Sequence, residues 1–256
     1  SDLARELDAL ENVADSIHAV SDAMTEILGT TAMEADQKLD ENRLQFKLAA
    51  AEARDAAAQL SPKEAAEARE RVKRLLHAGS VLGADTALVV AGGCSSTTEN
   101  PYGQYDVVYE NSVKNVAALA QTAKDEGVRI GIEPVWSKFL LSPLELRTFI
   151  DYADSEWVGA YFDTGNVMIW GYPEQWIRIL GKRIYKCHFK DFRRSVGNFG
   201  GFVDLLAGDV DFPQVMAAFR EIGYDDFCTC EVSPYQFDAE FMAFQTAAAM
   251  DRIFKM

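Results

Sequence analysis

Gly-Ala-Tyr-Phe-Asp-Thr-Gly-Asn (residues 159–166) and, one helix-like segment later, Tyr-Lys-Cys-His-Phe-Lys-Asp (residues 185–191) are the stretches that decide the fold. Each is an apolar, β-type run that closes on a polar tip, Asp163 in the first and His188 in the second. The run before them closes on Glu133 and the run after them on Glu231. A segment with helix-start signals separates each run from the next. Strand and helix patterns that alternate in this way are the mark of repeated βα units and a parallel sheet.

Working outward, the same alternation holds from Ser61 onward. Ser61-Pro62-Lys63-Glu64 is a helix start with a cap, a first-turn proline and a capping-box glutamate, and that helix runs to about Leu82. A short strand covers Thr86 to Ala91, and a helix covers roughly Tyr105 to Glu126, stopped by Gly127. Strand Val128 to Glu133 follows, then a helix opening on a second capping box, Ser142-Pro143-Leu144-Glu145. Next come strand Val158 to Asp163, a helix around Pro173 to Leu180, strand Ile184 to Lys190, a helix from Pro213 to Ile222 and strand Phe227 to Glu231.

Eight such units close a (β/α)8 TIM-type barrel, so the expectation is one α/β barrel domain over residues 1–256. The amino-terminal region, 1–60, is atypical and mostly helical, and lacks a clear first strand. Leu3, Leu7, Leu10, Ala14 and Ile17 recur at helical spacing, while Met24 to Leu28 and Leu44 to Leu48 are the strand candidates. A barrel short of a strand exposes two edges, which proteins normally pair or cover. Self-association through such edges, or through the amphipathic opening helix, is therefore open.

Composition narrows the partners. Nearly half of the 256 residues are apolar, enough to bury a core. A formal net charge of -15 repels phosphate backbones, so no nucleic-acid partner is expected. No window approaches the roughly 20 apolar residues of a membrane span, and no basic-then-apolar leader opens the sequence, so a soluble protein without a membrane partner is expected. The four cysteines, Cys94, Cys187, Cys228 and Cys230, are too few for a disulfide framework and lack metal-finger spacing, which suits reduced thiols in cytoplasm.

Period-two alternation assigns faces. Glu133 shares a face with Gly131, Asp163 with Tyr161, His188 with Lys186 and Lys190, and Glu231 with Thr229. In a parallel barrel the site lies at the carboxyl ends of the strands, where all four polar tips stand. Three carboxylates and an imidazole suit a divalent ion that prefers oxygen donors, Mn²⁺ or Mg²⁺ first, with Co²⁺ and Zn²⁺ as further options.

At this point the sequence resembles a known group. Gly-Ile-Glu-Pro-Val-Trp at 131–136, Tyr-Phe-Asp-Thr-Gly-Asn at 161–166, His-Phe-Lys-Asp at 188–191, Gly-Asp-Val-Asp-Phe at 208–212 and Cys-Glu-Val at 230–232 are similar, in order and spacing, to the xylose-isomerase-like sugar isomerases and epimerases. That superfamily includes ketose 3-epimerases and pentulose-phosphate 3-epimerases. The resemblance covers Val128 to Tyr235, extends weakly back to Ser61, and owes almost nothing to the first sixty residues. It implies that Glu133, Asp163, His188 and Glu231 bind the metal and that Glu133 and Glu231 also handle protons.

The reaction class follows. A carbonyl polarised by the ion acidifies the adjacent C–H, and two carboxylates on opposite sides of a bound sugar can remove a proton from one face and return one to the other. Epimerisation or isomerisation of a sugar or sugar phosphate through an enediolate is the first expectation. Dehydration or lyase chemistry on the same site is the alternative, as is a barrel-like subunit that binds without catalysis. A metal nuclease would need more histidines than His18 and His77 and a basic groove.

Among substrate contacts, Lys190 shares the inward face with His188 and is expected at the mouth. Arg194, by its spacing from His188, falls where the ketose epimerases place a substrate-binding arginine, which implies an oxyanion or phosphate contact. Asn166 and Phe139 depart from those epimerases, which carry histidine and a second glutamate at the matching points. Trp136, Phe139, Trp170 and Tyr172 are expected to form an apolar wall at the mouth. Lys182 and Arg183 read as caps of the preceding helix.

Overall fold

A computed structural model describes residues 62–96 and 101–256. The opening helix, the two strand candidates before Ser61 and the Ser61 cap lie outside the described residues.

Five parallel strands form one sheet in the order β1 (Thr86–Val89), β2 (Arg129–Ile132), β3 (Val158–Asp163), β4 (Ile184–Phe189) and β7 (Cys228–Cys230). A separate two-stranded antiparallel ribbon pairs β5 (Asp191–Phe192) with β6 (Phe202–Val203). The helices are α1 (Pro62–Leu82), α2 (Tyr105–Glu126), α3 (Pro143–Tyr152), α4 (Pro173–Leu180), α5 (Phe212–Ile222) and α6 (Ala239–Ile253). Each strand of the main sheet is followed by a helix, so the expected βα units are present with boundaries shifted by one or two residues.

Local chemistry sets the helix limits. Ser142 caps α3 by accepting from Glu145 N at 3.2 Å, and Glu145 Oε2 in turn accepts from Leu141 N at 2.9 Å. Asp211 and Asp238 cap α5 and α6 in the same way. Gly127 (φ 70°) and Gly223 (φ 68°) end α2 and α5 in the left-handed region, where a side chain would be strained.

One face of the sheet is apolar. Ala87 and Val89, Ile130 and Ile132, Ala160 and Phe162, and Cys187 and Phe189 are buried with Leu76, Val116, Leu119, Phe149, Trp176, Ile177, Val215 and Phe219 from the helices. Each fully buried large side chain contributes on the order of 1.5–3 kcal/mol, so this layer carries most of the stability. The opposite face holds the polar alternates. At its amino-terminal floor Lys186 Nζ lies 3.0 Å from Asp85 Oδ2 and 2.6 Å from Asp226 Oδ1, while Arg129 Nη2 lies 3.0 Å from Asp85. Asp85 immediately precedes β1 and Asp226 stands two residues before β7, the outer strands of the described sheet, so one lysine of an inner strand ties both of them together. Lys186 is thus a structural partner rather than a solvated charge.

Candidate metal centre

The carboxyl ends of β2, β3, β4 and β7 converge. One ligand-type atom from each of Glu133, Asp163, His188 and Glu231 lies within 4.8 Å of the others. The backbone explains the convergence. Glu133 N donates to Val89 O at 3.1 Å and Glu231 N to Phe189 O at 3.0 Å, each prolonging a parallel ladder by one residue. Asp163 and His188 are register partners on β3 and β4. Four neighbouring strand ends with matched faces must bring their tips together.

His188 Nδ1 sits 3.3 Å from Glu133 Oε1 and 3.3 Å from Glu231 Oε2, with Asp163 Oδ2 at 3.9 Å. Tyr161, on the same face, places its ring 4.5 Å from the imidazole. Lys190 Nζ approaches Glu231 Oε2 at 3.0 Å, Asn166 Oδ1 at 3.3 Å and Asp163 Oδ2 at 3.8 Å. Asn166 Nδ2 donates to Glu133 Oε1 at 3.3 Å. Gly165 lets β3 and β4 meet closely here, because a Cβ on it would stand 2.8 Å from Lys190 Cγ.

The charges are strongly perturbed. Burial raises the Asp163 carboxyl to about 8; Lys190 opposes the rise, and Glu133 and Glu231 add to it. Burial works against the His188 imidazolium, but the hydrogen bonds to Glu133 and Glu231 prevail and raise it to about 9. Glu231 is likewise disfavoured as an anion by burial, yet His188 and Lys190 bring it down to about 2. Burial disfavours the Lys190 ammonium, and Asp163 and Glu231 raise it nonetheless.

The residues fit a divalent ion. Asp163 is fully buried, its Oδ1 accepts from Gly165 N at 2.8 Å and Asn166 N at 2.7 Å, and its Oδ2 has no hydrogen-bond partner. A buried carboxylate oxygen left in that state costs about 1–3 kcal/mol or more unless a cation meets it. Donor atoms about 2.0–2.6 Å from a common ion stand no more than about 5 Å apart, as the observed cluster does.

Other expected residues fall differently. Trp136 Nε1 donates to Asn166 O at 2.9 Å, which fixes the indole beside the cluster. Arg194 donates to Gly171 O at 2.9 Å and lies over the Tyr172 ring at 4.4 Å; none of these contacts reaches the four converging side chains. Phe139 corrects the expected wall: it is 2% exposed and packs on Tyr105, Tyr109 and Phe149 in the helix layer. Its neighbours Lys138 (φ 59°) and Leu140 (φ 55°) are left-handed, and this irregular turn directs the ring into the helix layer instead of the mouth. Lys182 and Arg183 form a short 3-10 turn, where Arg183 pairs with Asp151.

Sequence reasoning missed Phe199 and Phe202, which stack on Trp136 at 4.8 and 5.0 Å. It also missed the part played by Asp191, whose buried carboxylate accepts from Phe192 N at 2.8 Å, Gly208 N at 2.9 Å and Val210 N at 3.1 Å. Asp191 thereby ties the ribbon to the loop before α5. The aspartate of His-Phe-Lys-Asp was the available signal, since a buried acid after a lysine needs donors from somewhere.

No described helix is long and apolar enough to cross a membrane. Among known proteins, the uncharacterized protein MJ1311 of Methanocaldococcus jannaschii is 26% identical over 130 residues, 48% of this chain and 43% of that protein. The chain thus spans less than half the length of this curated relative. The structure of the IolI protein with a bound zinc atom superposes with a TM-score of 0.66 at 18% identity, over 77% of this chain and 74% of that one. L-ribulose 3-epimerase gives 0.65 at 19% identity, over 78% and 72%. D-psicose 3-epimerase with D-tagatose from Clostridium cellulolyticum H10 gives 0.63 at 16%, over 75% and 71%. At these identities the likeness is one of fold. The family model for the xylose isomerase-like TIM barrel, however, matches residues 6–253, nearly the whole sequence, and on that match the chain belongs to this family.

Proposed function

We propose that this protein is a divalent-metal-dependent epimerase or isomerase of a sugar or sugar phosphate, working by proton abstraction next to a carbonyl. The observation that carries the reading is the convergence of Glu133, Asp163, His188 and Glu231 around the Oδ2 of Asp163, a buried oxygen without a hydrogen bond. These four residues would hold the ion, with Mn²⁺ or Mg²⁺ favoured by three oxygen donors and Co²⁺ or Zn²⁺ tolerated by the imidazole. An ion held there supplies Lewis-acid polarisation of a substrate carbonyl.

The chain's own groups do the rest. Glu133 and Glu231 stand at the ends of β2 and β7, with β3 and β4 between them, so a sugar seated over the middle strands has one carboxylate on either side. Their environments differ, since the Glu133 side chain is 6% exposed and that of Glu231 43% exposed. One carboxylate takes the proton and the other returns one, which inverts the carbon through an enediolate. Lys190 stands 3.0 Å from Glu231 and can donate to a developing oxyanion. Asn166 and Trp136 border the same space, and Arg194, anchored on Gly171 farther out, suits a distal anionic group of the substrate. The fold likeness to L-ribulose and D-psicose 3-epimerases supports this reading.

The test is to incubate the Mn²⁺-loaded protein with a panel of free and phosphorylated ketoses in deuterated water and follow the C–H beside the carbonyl by NMR. Deuterium exchange with inversion is the expected result. Irreversible loss of water assigns the site to dehydration instead. No exchange with any member of the panel defeats the proposal.

A further inference from the structure

Beside the carboxylate cluster the chain builds a second surface of a different kind. Trp136 is met by Phe199 at 4.8 Å, Phe202 at 5.0 Å, Phe192 at 5.3 Å and Trp170 at 6.2 Å, ring centroid to ring centroid. Five places in the chain supply these rings: the turn after β2, the turn after β3, the two arms of the β5–β6 ribbon, and the 3-10 turn that joins those arms and carries Phe199. Phe192 is the buried base, Trp136 and Phe202 are half-buried, and Trp170 and Phe199 are 37% and 71% exposed. The planes of Phe199 and Phe202 lie 44° and 45° from that of Trp136, which makes an angled apolar corner.

Direct contacts link this corner to the site. Trp136 Nε1 is bonded to Asn166 O, and Asn166 is bonded to Glu133, so the indole offers its faces rather than its N–H to a ligand. Lys190 lies 4.7 Å over the Phe202 ring while its Nζ reaches Glu231, so one side chain touches both the corner and the cluster. The corner is also held in place. Gly201 has no room for a Cβ, which would stand 2.5 Å from the Phe192 ring, and Asp191 pins the ribbon to the following loop. Exposed aromatic surface continuous with a polar cluster is the composition of a small-molecule site, where apolar faces give contact and a few polar groups give orientation.

We infer that the aromatic corner of Trp136, Trp170, Phe199 and Phe202 is a second-ring subsite, and that the substrate is a glycosyl ketose: its keto half sits on the carboxylate cluster and the C–H face of its second sugar ring stacks in the corner. This rests on the sugar chemistry proposed above and adds the substrate class. A pyranose ring carries C–H groups on one face and hydroxyls around its rim. It therefore matches an apolar corner edged by Lys190 and open to water at Phe199, where a small free ketose would leave the corner wet.

The experiment uses the full chain loaded with Mg²⁺ and three ketose disaccharides of different linkage, lactulose, turanose and isomaltulose, with fructose as the single-ring reference. Saturation of the protein's aromatic protons should transfer to the C–H protons of the second ring in at least one disaccharide. That disaccharide should bind about two- to tenfold more tightly than fructose, the yield of one aromatic contact. Phe199→Ala should remove that advantage and Phe199→Tyr should keep it. Absence of transfer to the second ring in all three, or an advantage that survives Phe199→Ala, overturns the inference. Deuterium exchange beside the carbonyl is read in the same samples. Second-ring transfer without exchange keeps the subsite and defeats the reaction, whereas exchange without second-ring transfer keeps the reaction and defeats the subsite.

Discussion

Raising the pH should tighten metal binding along a curve that the cluster itself dictates. In the metal-free protein burial raises Asp163 to about 8, and hydrogen bonds donated to Glu133 and Glu231, against the effect of burial, raise His188 to about 9. Both must shed a proton to ligate, whereas Glu231, held at about 2, is already a carboxylate at neutral pH. Affinity should therefore rise roughly 100-fold per pH unit below pH 8, about tenfold between pH 8 and 9, and level off above, the two steps belonging to the cluster as a whole.

Stability follows with a definite sign. Asp163 and His188 have folded pKa values above their ordinary 3.8 and 6.5, so their contribution is complete below those values and is lost as the pH rises through about 8 and 9. Glu231 runs the other way: its contribution is present above 4.5 and is lost as the pH falls toward 2. The metal-free protein should thus weaken as the pH rises from about 4.5 to 9, most steeply between 6.5 and 8 where Asp163 and His188 act together, while the metal-loaded protein holds. Metal at about 100 times its Kd adds about 2.7 kcal/mol, or roughly 5–10 °C in Tm for a chain of this size. Titration calorimetry with Mn²⁺ in buffers of different ionisation heat, at pH 6.5, 7.5 and 8.5, measures both the affinity and the protons released. An affinity that is flat across that range, or release of fewer than one proton at pH 7, would refute the reasoning.

Glu231→Gln should cut deuterium exchange into a ketose by at least ~100-fold while the chain stays folded by circular dichroism. Exchange as fast as in the parent would argue for a binding subunit without catalysis. Gly165→Ala forces a Cβ to 2.8 Å from Lys190 Cγ and should cost about 1–3 kcal/mol in urea denaturation, with weaker metal binding because Asp163 and Lys190 shift together. Asp191→Asn leaves part of a three-donor set unanswered and should cost about 1–3 kcal/mol; hydrogen exchange should quicken at Gly208 N and Val210 N and stay unchanged in α2.

The fold and the cluster were legible in the sequence for one reason: strands in a parallel sheet have a strict period, and a polar residue at the carboxyl end of each run stands out against it. Asp163, His188, Glu133 and Glu231 obey that period, and the helix cap at Ser142 obeys a local rule of equal strength. The ribbon was not legible, because Asp191–Phe192 and Phe202–Val203 are two residues each, too short to show a period. Phe139 was misplaced because left-handed turns at Lys138 and Leu140 reset which way the chain faces. Alternation put Lys186 on the inward face, but its partners, Asp85 and Asp226, were not legible, because they stand far from it in sequence and meet it only once the sheet curls.

That floor has an electrical consequence. Lys186 and Arg129 balance Asp85 and Asp226, so the lower storey of the inner face is neutral, and Tyr161 and Thr229 above it carry no charge at neutral pH. One level higher, three carboxylates face a single lysine and a histidine. Once Asp163 and His188 have shed their protons, the potential along the axis of the strands turns negative only at the top, and a cation wandering over this surface then finds a well there and a level plain beneath it.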